Sequence, residues 1–296
     1  MSDAIRIVFA GTGAFGRPIL EHLIQDPRFQ VAAVISGPDK EAGRGLTIGK
    51  NNIVQAAEQH RIPVHQEVTT AELNTAIKGY SPDILLVVAY GKILHSSTLA
   101  IAHGGSINIH GSLIPAYRGA SPIHAALLNN DEKTGVSWLV MGKKMDAGPL
   151  IKSIPLPITD EDDFPTLYEK LSNLAAEKTG DVLYDFSRNH HAVAQNESEA
   201  TYSSIIEKKD GELYFDEETA KTLVGKVRAY VTWPGAYFMH KGKRIKVLKA
   251  HWVSGEAVIS DPVQIKTKEG IFIPDILQPE SKRPMDARSF AQGYWK

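Results

Sequence analysis

With 296 residues, 43% of them hydrophobic, the chain can bury a large core and is expected to divide into two domains. It has no cysteine, which excludes disulfides, thiolate metal sites and cysteine nucleophiles and is compatible with a reducing cytoplasm. No apolar run reaches membrane-spanning length, and Met1-Ser2-Asp3-Ala4 leads straight into a strand-like segment, so a soluble protein without a signal peptide is expected.

The net charge of -1 conceals an asymmetry: residues 1–204 are net acidic by five charges and the remainder net basic by four. Between Thr219 and Gly255 there is no acid at all, while Lys221, Lys226, Arg228, Lys241, Lys243, Arg244, Lys246 and Lys249 fall there. Tyr230, Trp233, Tyr237, Phe238 and Trp252 are interleaved with them. Such a stretch suits a polyanion, through phosphate contacts and stacking platforms, although a solvated barrel face with core aromatics has the same composition.

In chain order, Ile5 to Ala10 reads as a buried strand, and Gly11-Thr12-Gly13-Ala14-Phe15-Gly16 leads into a helix over Arg17 to Gln25. The spacing matches G-x-G-x-x-G between a strand and a helix, the place where a dinucleotide enzyme carries it. The second strand, Val31 to Ser36, ends on Ser36 where such an enzyme has the acid that holds the ribose hydroxyls. The glycines therefore read mainly as a tight turn with close helix packing, and no NAD is expected. The loop Gly37 to Gly45 presents Arg44 between glycines. A helix around Asn52 to His60, a short strand near Val64, a helix over Ala71 to Lys78 and the apolar strand Ile84 to Ala89 follow. Continuous apolar runs alternating with helices predict a mostly parallel sheet covered on both faces.

That strand ends at Tyr90-Gly91 and the next, Ser106 to His110, ends at Gly111, so both tails should border one cleft beyond the carboxyl ends of the strands. The period of two in a strand places Ile107 and Ile109 on one face and Ser106, Asn108 and His110 on the other. An amide that can donate to an oxyanion beside an imidazole that can move protons suits acyl or formyl transfer. Asp146 could orient and charge the imidazole. A half-exposed edge strand with incidental polar residues would read the same way, and these residues alone leave both open.

The loop from Gly111 to Pro122 carries two prolines, two glycines and Arg118, the features of a rigid substrate-shaping wall. A strand over Thr134 to Val140, a turn at Met145 to Gly148 and a returning strand from Leu150 should bring Asp146 back to the edge of the same sheet. A long helix from Asp163 to Arg188 closes the first domain, and the polar run Asn189 to Ser204 reads as a linker. Its His190-His191 pair lacks a third ligand at suitable spacing, so no metal is expected. Beyond it, a helix over Thr219 to Ala229 and short strands at 236–240, 245–250, 257–259, 263–266 and 271–273 predict a small barrel.

Taken together, these residues resemble the methionyl-tRNA formyltransferase family. The resemblance is carried by Phe9-Ala10-Gly11-Thr12, Ala42-Gly43-Arg44-Gly45, Val87 to Gly91, Asn108-x-His110-Gly111-Ser112-Leu113-x-Pro115, Arg118-Gly119-Ala120-x-Pro122-Ile123, Thr134-Gly135-Val136 and Asp146-x-Gly148. It continues through Thr201-Tyr202-Ser203, Trp233-Pro234, Leu277 to Glu280 and Met285-Asp286-Ala287, over nearly the whole chain. The family usually has Arg-Trp where Ala116-Tyr117 stand, more basic residues and prolines after Arg44, and often Thr at Ala147.

The resemblance implies a Rossmann-like catalytic domain over residues 1–189, a linker over 190–204 and an OB-like β-barrel over 205–296. It further implies transfer of a formyl group from 10-formyltetrahydrofolate to the α-amine of initiator methionyl-tRNA by a cytoplasmic monomer, with neither metal nor membrane involved. Asn108 would stabilise the oxyanion and His110, held by Asp146, would move the proton. Val88, Ala89, Tyr90, Gly91, Ser112, Leu113, Ile114 and Pro115 would cradle the folate, and Arg44, Arg118, Lys208, Lys243 and Arg244 would meet the tRNA. A sugar-nucleotide formyltransferase shares the catalytic three and stays open at this point; a nicotinamide oxidoreductase and a non-catalytic RNA-binding protein stand further off.

Overall fold

The computed structural model describes residues 4–38, 40–42, 47–66, 69–255 and 262–295. These fold as two compact units, the first drawn from residues 1–119, 135–156 and 168–202 and the second from 120–134, 157–167 and 203–296.

The first half of the chain runs β1 (Ile5–Gly11), α1 (Gly16–Gln25), β2 (Phe29–Ile35), a short hairpin of β3 (Lys40–Ala42) and β4 (Thr47–Gly49), α2 (Asn52–Gln59) and β5 (Val64–His65). It continues through α3 (Thr70–Gly79), β6 (Ile84–Val88), α4 (Ser96–Leu99), β7 (Ser106–His110) and β8 (Arg118–Gly119). After α5 (Pro122–Leu128) come β9 (Lys133–Val140), β10 (Leu150–Pro157) and the long α6 (Phe164–Asn189). Helix starts follow local chemistry: the Asn51 side chain accepts from the Ile53 and Val54 amides at α2, and Thr69 with Glu72 forms a reciprocal capping box at α3.

The main sheet has the order β10-β9-β7-β6-β1-β2-β5. Its β1, β2, β5, β6 and β7 are mutually parallel, and β9 runs antiparallel to β7. All five residues of β6 are buried, as are the last five of β1, which accounts for their unbroken apolar sequence. Register sets Val88 level with both Gly11 and Ile109, so the chain leaves β1, β6 and β7 at one edge of the sheet. Gly11 is required there by packing, because a Cβ would lie 2.8 Å from the Val88 carbonyl oxygen.

The second unit contains β11 residue Ser203 of the short strand β11 (Tyr202–Ser203), α7 (Ala220–Tyr230), β12 (Tyr237–His240), β13 (Lys243–Val253), β14 (Ile265–Lys266), β15 (Ile271–Pro279), β16 (Met285–Asp286) and α8 (Ala287–Phe290). Its antiparallel sheet has the order β12-β13-β15-β14 with β16 on β15, a small-barrel architecture. Helix α7 packs on α5 and β13, and Arg228 on α7 donates to the carbonyls of Asp162 and Thr159, both at 2.6 Å.

The strand expected over 271–273 runs on to Pro279, through Pro274. The register of β13 against β15 shifts between Val247 and Ala250, beside the Ala250–Pro274 pair. A bulge there tolerates a residue without an N–H, and a sequence reading that stops at the proline misses the continuation. The strand expected at 257–259 lies outside the described residues.

Candidate active site

Strand β7 lies between β6 and β9, so it is an interior strand and not the edge strand that its polar residues would also have allowed. Its pleat is the alternating one. Ile107 and Ile109 are buried in the core, while Asn108 and His110 stand on the opposite face.

The Asn108 amide donates to Asp146 Oδ1 at 3.1 Å, and the Gly119 N–H donates to Asp146 Oδ2 at 2.9 Å. His110 Nδ1 lies 3.7 Å from the same Oδ2, too far for a hydrogen bond, so Asp146 acts on the ring as a nearby charge while bonding directly to Asn108. The other ring nitrogen, Nε2, is 2.9 Å from the Tyr117 carbonyl oxygen and can only donate to it. A neutral ring held that way carries its lone pair on Nδ1, which faces the carboxylate side of the site.

The carboxylate arrives by a turn with little freedom. Asp146 has φ 51, a left-handed conformation that Asp tolerates better than most residues, and Tyr117, whose carbonyl meets His110, has φ 57. Two residues on, a Cβ at Gly148 would overlap the Val140 carbonyl, so only glycine lets the turn pass the end of β9.

The run read as a linker sits against this site within the first unit. Gln195 donates from Nε2 to the carbonyls of Asp146, at 2.8 Å, and Gly148, at 2.6 Å. Its Oε1 accepts from Arg118 Nε at 3.0 Å and Nη2 at 2.7 Å. Arg118, expected to meet substrate, is instead 1% exposed, forked onto the Glu197 carboxylate at 2.8 and 3.0 Å and bonded to the Tyr202 hydroxyl. Those hydrogen bonds hold the Glu197 carboxyl below the usual carboxylate range and raise the guanidinium further.

At the end of β6 the backbone turns sharply: Ala89 has φ 46 and Gly91 φ 74, both exposed, on either side of the buried Tyr90. The Tyr90 carbonyl accepts from Thr12 Oγ1 at 3.1 Å. Val88, expected to line the folate site, is fully buried, main chain included, and does not face a ligand in this structure. Of the loop residues expected beside them, Ser112 is buried and its hydroxyl donates to the Ala116 carbonyl at 2.6 Å. The buried Ser137 hydroxyl donates to the Ser112 carbonyl and accepts from the Ile114 N–H. Leu113 and Pro115 are half-buried, and the Ile114–Pro115 bond is cis.

Ser36 occupies the place where a ribose-binding acid would stand. It is buried, donating to the Gly11 carbonyl at 2.7 Å and accepting from the Asn51 amide at 3.0 Å. Ser36 thus closes the glycine turn from within. Among the described residues, no group of three or more His, Asp or Glu side chains is arranged to hold a metal.

The second unit carries the other expected residues. Lys208 and Lys243 are exposed, and Arg244 lies over the Tyr237 ring with its guanidinium carbon 3.6 Å from the centroid. Trp233 and Trp252 are exposed nearby in sequence. Arg44 lies outside the described residues. Sequence reasoning missed Gln195, the Tyr117 carbonyl and the Gly119 N–H. Gln195 sits in a polar run that reads as connection, and main-chain groups leave no mark in a sequence at all.

A formyl transferase family model matches residues 5–183, and a formyl transferase C-terminal domain model matches residues 205–295. The chain is 35% identical to a methionyl-tRNA formyltransferase of Listeria welshimeri, covering 97% of this chain and 95% of that one. It is 33% identical to that of Hydrogenovibrio crunogenus over 99% and 97% of the two chains. Among solved structures, an N-formyltransferase of Helicobacter canadensis in complex with folinic acid and dTDP-3-aminofucose superposes with a TM-score of 0.68 at 17% identity, over 91% of this chain and 99% of that one. That likeness is one of fold.

Proposed function

The chain belongs to the methionyl-tRNA formyltransferase family, and from that premise we propose how its own residues carry the reaction. The enzyme transfers a formyl group to methionyl-tRNA, which serves translation initiation. We propose initiator methionyl-tRNA as the acceptor and 10-formyltetrahydrofolate as the donor, a co-substrate that supplies an activated formyl carbon. The exposed main chain at Ala89 and Gly91 fits such a donor, since polar backbone on a sharp turn at a strand end can meet a pterin edge to edge. Ser112 to Pro115 would form the adjoining wall.

Asn108 has one amide hydrogen committed to Asp146 and one left to meet the negative charge that grows on the formyl oxygen, a contribution of about 3 kcal/mol. His110, with Nε2 fixed on the Tyr117 carbonyl, uses Nδ1 to take the proton lost by the attacking α-amine and return it to the departing nitrogen. Asp146 balances the transient imidazolium across the 3.7 Å gap. As the new C–N bond to the amine forms, the C–N bond to the donor breaks, and His110 ends as it began.

Residues 1–189 are the catalytic domain in this proposal, 190–204 the connection and 205–296 the tRNA-holding domain, with Lys208, Lys243 and Arg244 among the phosphate contacts. Arg44 would reach the acceptor end. No helix among the described residues is long and apolar enough to cross a membrane. We take the protein to work as a monomer in the cytoplasm.

What carries the proposal is the meeting of Asn108, His110 and Asp146 around one carboxylate, in a chain related to methionyl-tRNA formyltransferases over nearly its full length. The deciding assay offers charged initiator tRNA and a dTDP-amino sugar separately, each with the folate donor. Formylmethionyl-tRNA should form at a rate far above that of the formylated sugar, and the opposite preference would overturn the acceptor assignment.

A further inference from the structure

The strongest polar construction not used by the mechanism above is the hydrogen-bonded chain from the exposed Glu197 through the buried Arg118 and the half-buried Gln195 to the turn that carries Asp146. We propose that Gln195, held by Arg118, is a positioning residue for the catalytic carboxylate; the inference rests on Asp146 being part of the catalytic machinery.

Gln195 stands 49 residues from Asp146 and 77 from Arg118 in sequence, and it reaches both with one side chain. Its two N–H groups close on the carbonyls of Asp146 and Gly148, the two ends of the three-residue turn. Those carbonyls belong to a backbone in the left-handed region at Asp146, and a non-glycine residue keeps that conformation only where its surroundings hold it. Bonding both carbonyls to one rigid amide supplies such a hold. It fixes the Cα–Cβ direction of Asp146 and hence the placing of Oδ1 on Asn108 and Oδ2 opposite His110 Nδ1.

Arg118 determines which way the amide faces. An amide turned by 180° would set its oxygen against two carbonyls and its NH2 against a guanidinium, so the two donors from Arg118 to Oε1 permit only the orientation that clamps the turn. Arg118 is itself anchored by Glu197, two residues after Gln195, in a fork of two charge-assisted bonds. The neighbouring backbone is drawn in as well: the Arg118 N–H donates to the Thr201 carbonyl, and the next residue, Gly119, supplies the N–H on Asp146 Oδ2. One arginine thus orders two of the supports of the carboxylate, one through its side chain and one through its position in the chain.

The test is a double-mutant cycle between Gln195→Glu and Asp146→Asn. Glu is isosteric, keeps an acceptor for Arg118 and loses both donors to the turn. In the wild-type background Gln195→Glu should lower kcat at least tenfold with KM for both substrates within about threefold, as expected when a catalytic group is displaced by a fraction of an ångström. It should also shift the pH dependence of kcat. In the Asp146→Asn background the same change should add little, because the carboxylate through which it acts is gone. An unchanged kcat in Gln195→Glu, or the same fold loss in both backgrounds, would overturn the inference while leaving Asp146 catalytic. Full turnover by Asp146→Asn alone would instead remove the premise and the inference with it. Circular dichroism fixes the folded fraction. Should Gln195→Glu fail to fold, Arg118→Lys, which keeps the charge but frees the amide to turn, completes the same cycle with the same expected and contrary outcomes.

Discussion

The turn that carries Asp146 and the strand that carries Lys243 and Arg244 show two different ways of making polar side chains useful. Both oxygens of the Asp146 carboxylate and its main-chain carbonyl accept hydrogen bonds, from Asn108, Gly119 and Gln195, groups far apart in sequence. Lys243 is exposed at a strand end, and Arg244 is oriented by the face of one tyrosine ring. Under the function proposed above, the difference follows from what each would do. Proton and acyl transfer need atoms held within fractions of an ångström, whereas attraction to phosphate falls off gently with distance and is screened over roughly 10 Å at physiological salt. Immobility is therefore built around the carboxylate, and composition suffices for the cationic strand.

The sharpest way to break this comparison is at Asn108. Replacing it with Ala should lower kcat by about 10²–10³ with little change in KM, since an oxyanion donor acts in the transition state and hardly at all in the ground state. Single-turnover formylation of charged tRNA gives the chemical step directly. A raised KM with unaltered kcat would make Asn108 a binding residue, like those proposed in the second unit. Next in size is Gly148→Ala. The added methyl would collide with the Val140 carbonyl, and moving two backbone segments apart should cost roughly 3 kcal/mol, read as a lowered urea midpoint at constant slope. A midpoint equal to wild type would mean that the turn is not rigidly held.

How much of this was legible in the sequence divides along the same line. The parallel sheet was readable because β1 and β6 are buried on both faces and so carry unbroken apolar runs, and Asn108 with His110 were readable because a strand has a period of two. The strand β15 was half-read, since Pro274 looks like a terminator until the bulge opposite it is seen. The supports of the carboxylate were not readable. Gln195 lies in a polar run that suggests solvent, and Arg118, flanked by glycine and proline-rich loop, suggested an exposed contact although its fork is closed by Gln195 and Glu197, 77 and 79 residues away. Nor did the chain order reveal that α5 and the segment before α6 would join the second unit, a pairing made by Arg228 and by α7 lying on α5.

Removing the cationic pair tests the other half of the comparison. Lys243→Ala with Arg244→Ala should weaken tRNA binding roughly tenfold at low salt and reduce the slope of log K against log salt by about 1.5, as loss of two phosphate contacts requires. Filter binding across a salt series measures both. Loss of affinity with an unchanged slope would show that the strand acts by shape and not by charge.

The smallest effect expected lies in a histidine that resembles His110 only in being enclosed. His124 on α5 stacks on Phe164 with ring centroids 4.0 Å apart and has Tyr230 at 6.2 Å, and burial alone pulls its pKa down from 6.5 to about 4. Tyr230, pushed up to about 12 by the same burial, stays neutral throughout that range. Above pH 6.5 the imidazole is neutral in both folded and unfolded chains and stability is at its full value. As the pH falls from 6.5 towards 4 the unfolded chain takes up a proton that the folded one refuses, so stability is lost across that window and no further below it. His124→Gln should flatten this part of the stability profile while leaving the pH dependence of kcat where it was. Urea unfolding between pH 7 and pH 4 provides the first measurement and initial rates over the range where the protein stays folded the second. If the kcat profile moved with His124→Gln, proton chemistry in this enzyme would not be confined to the clamped carboxylate and its two neighbours on β7.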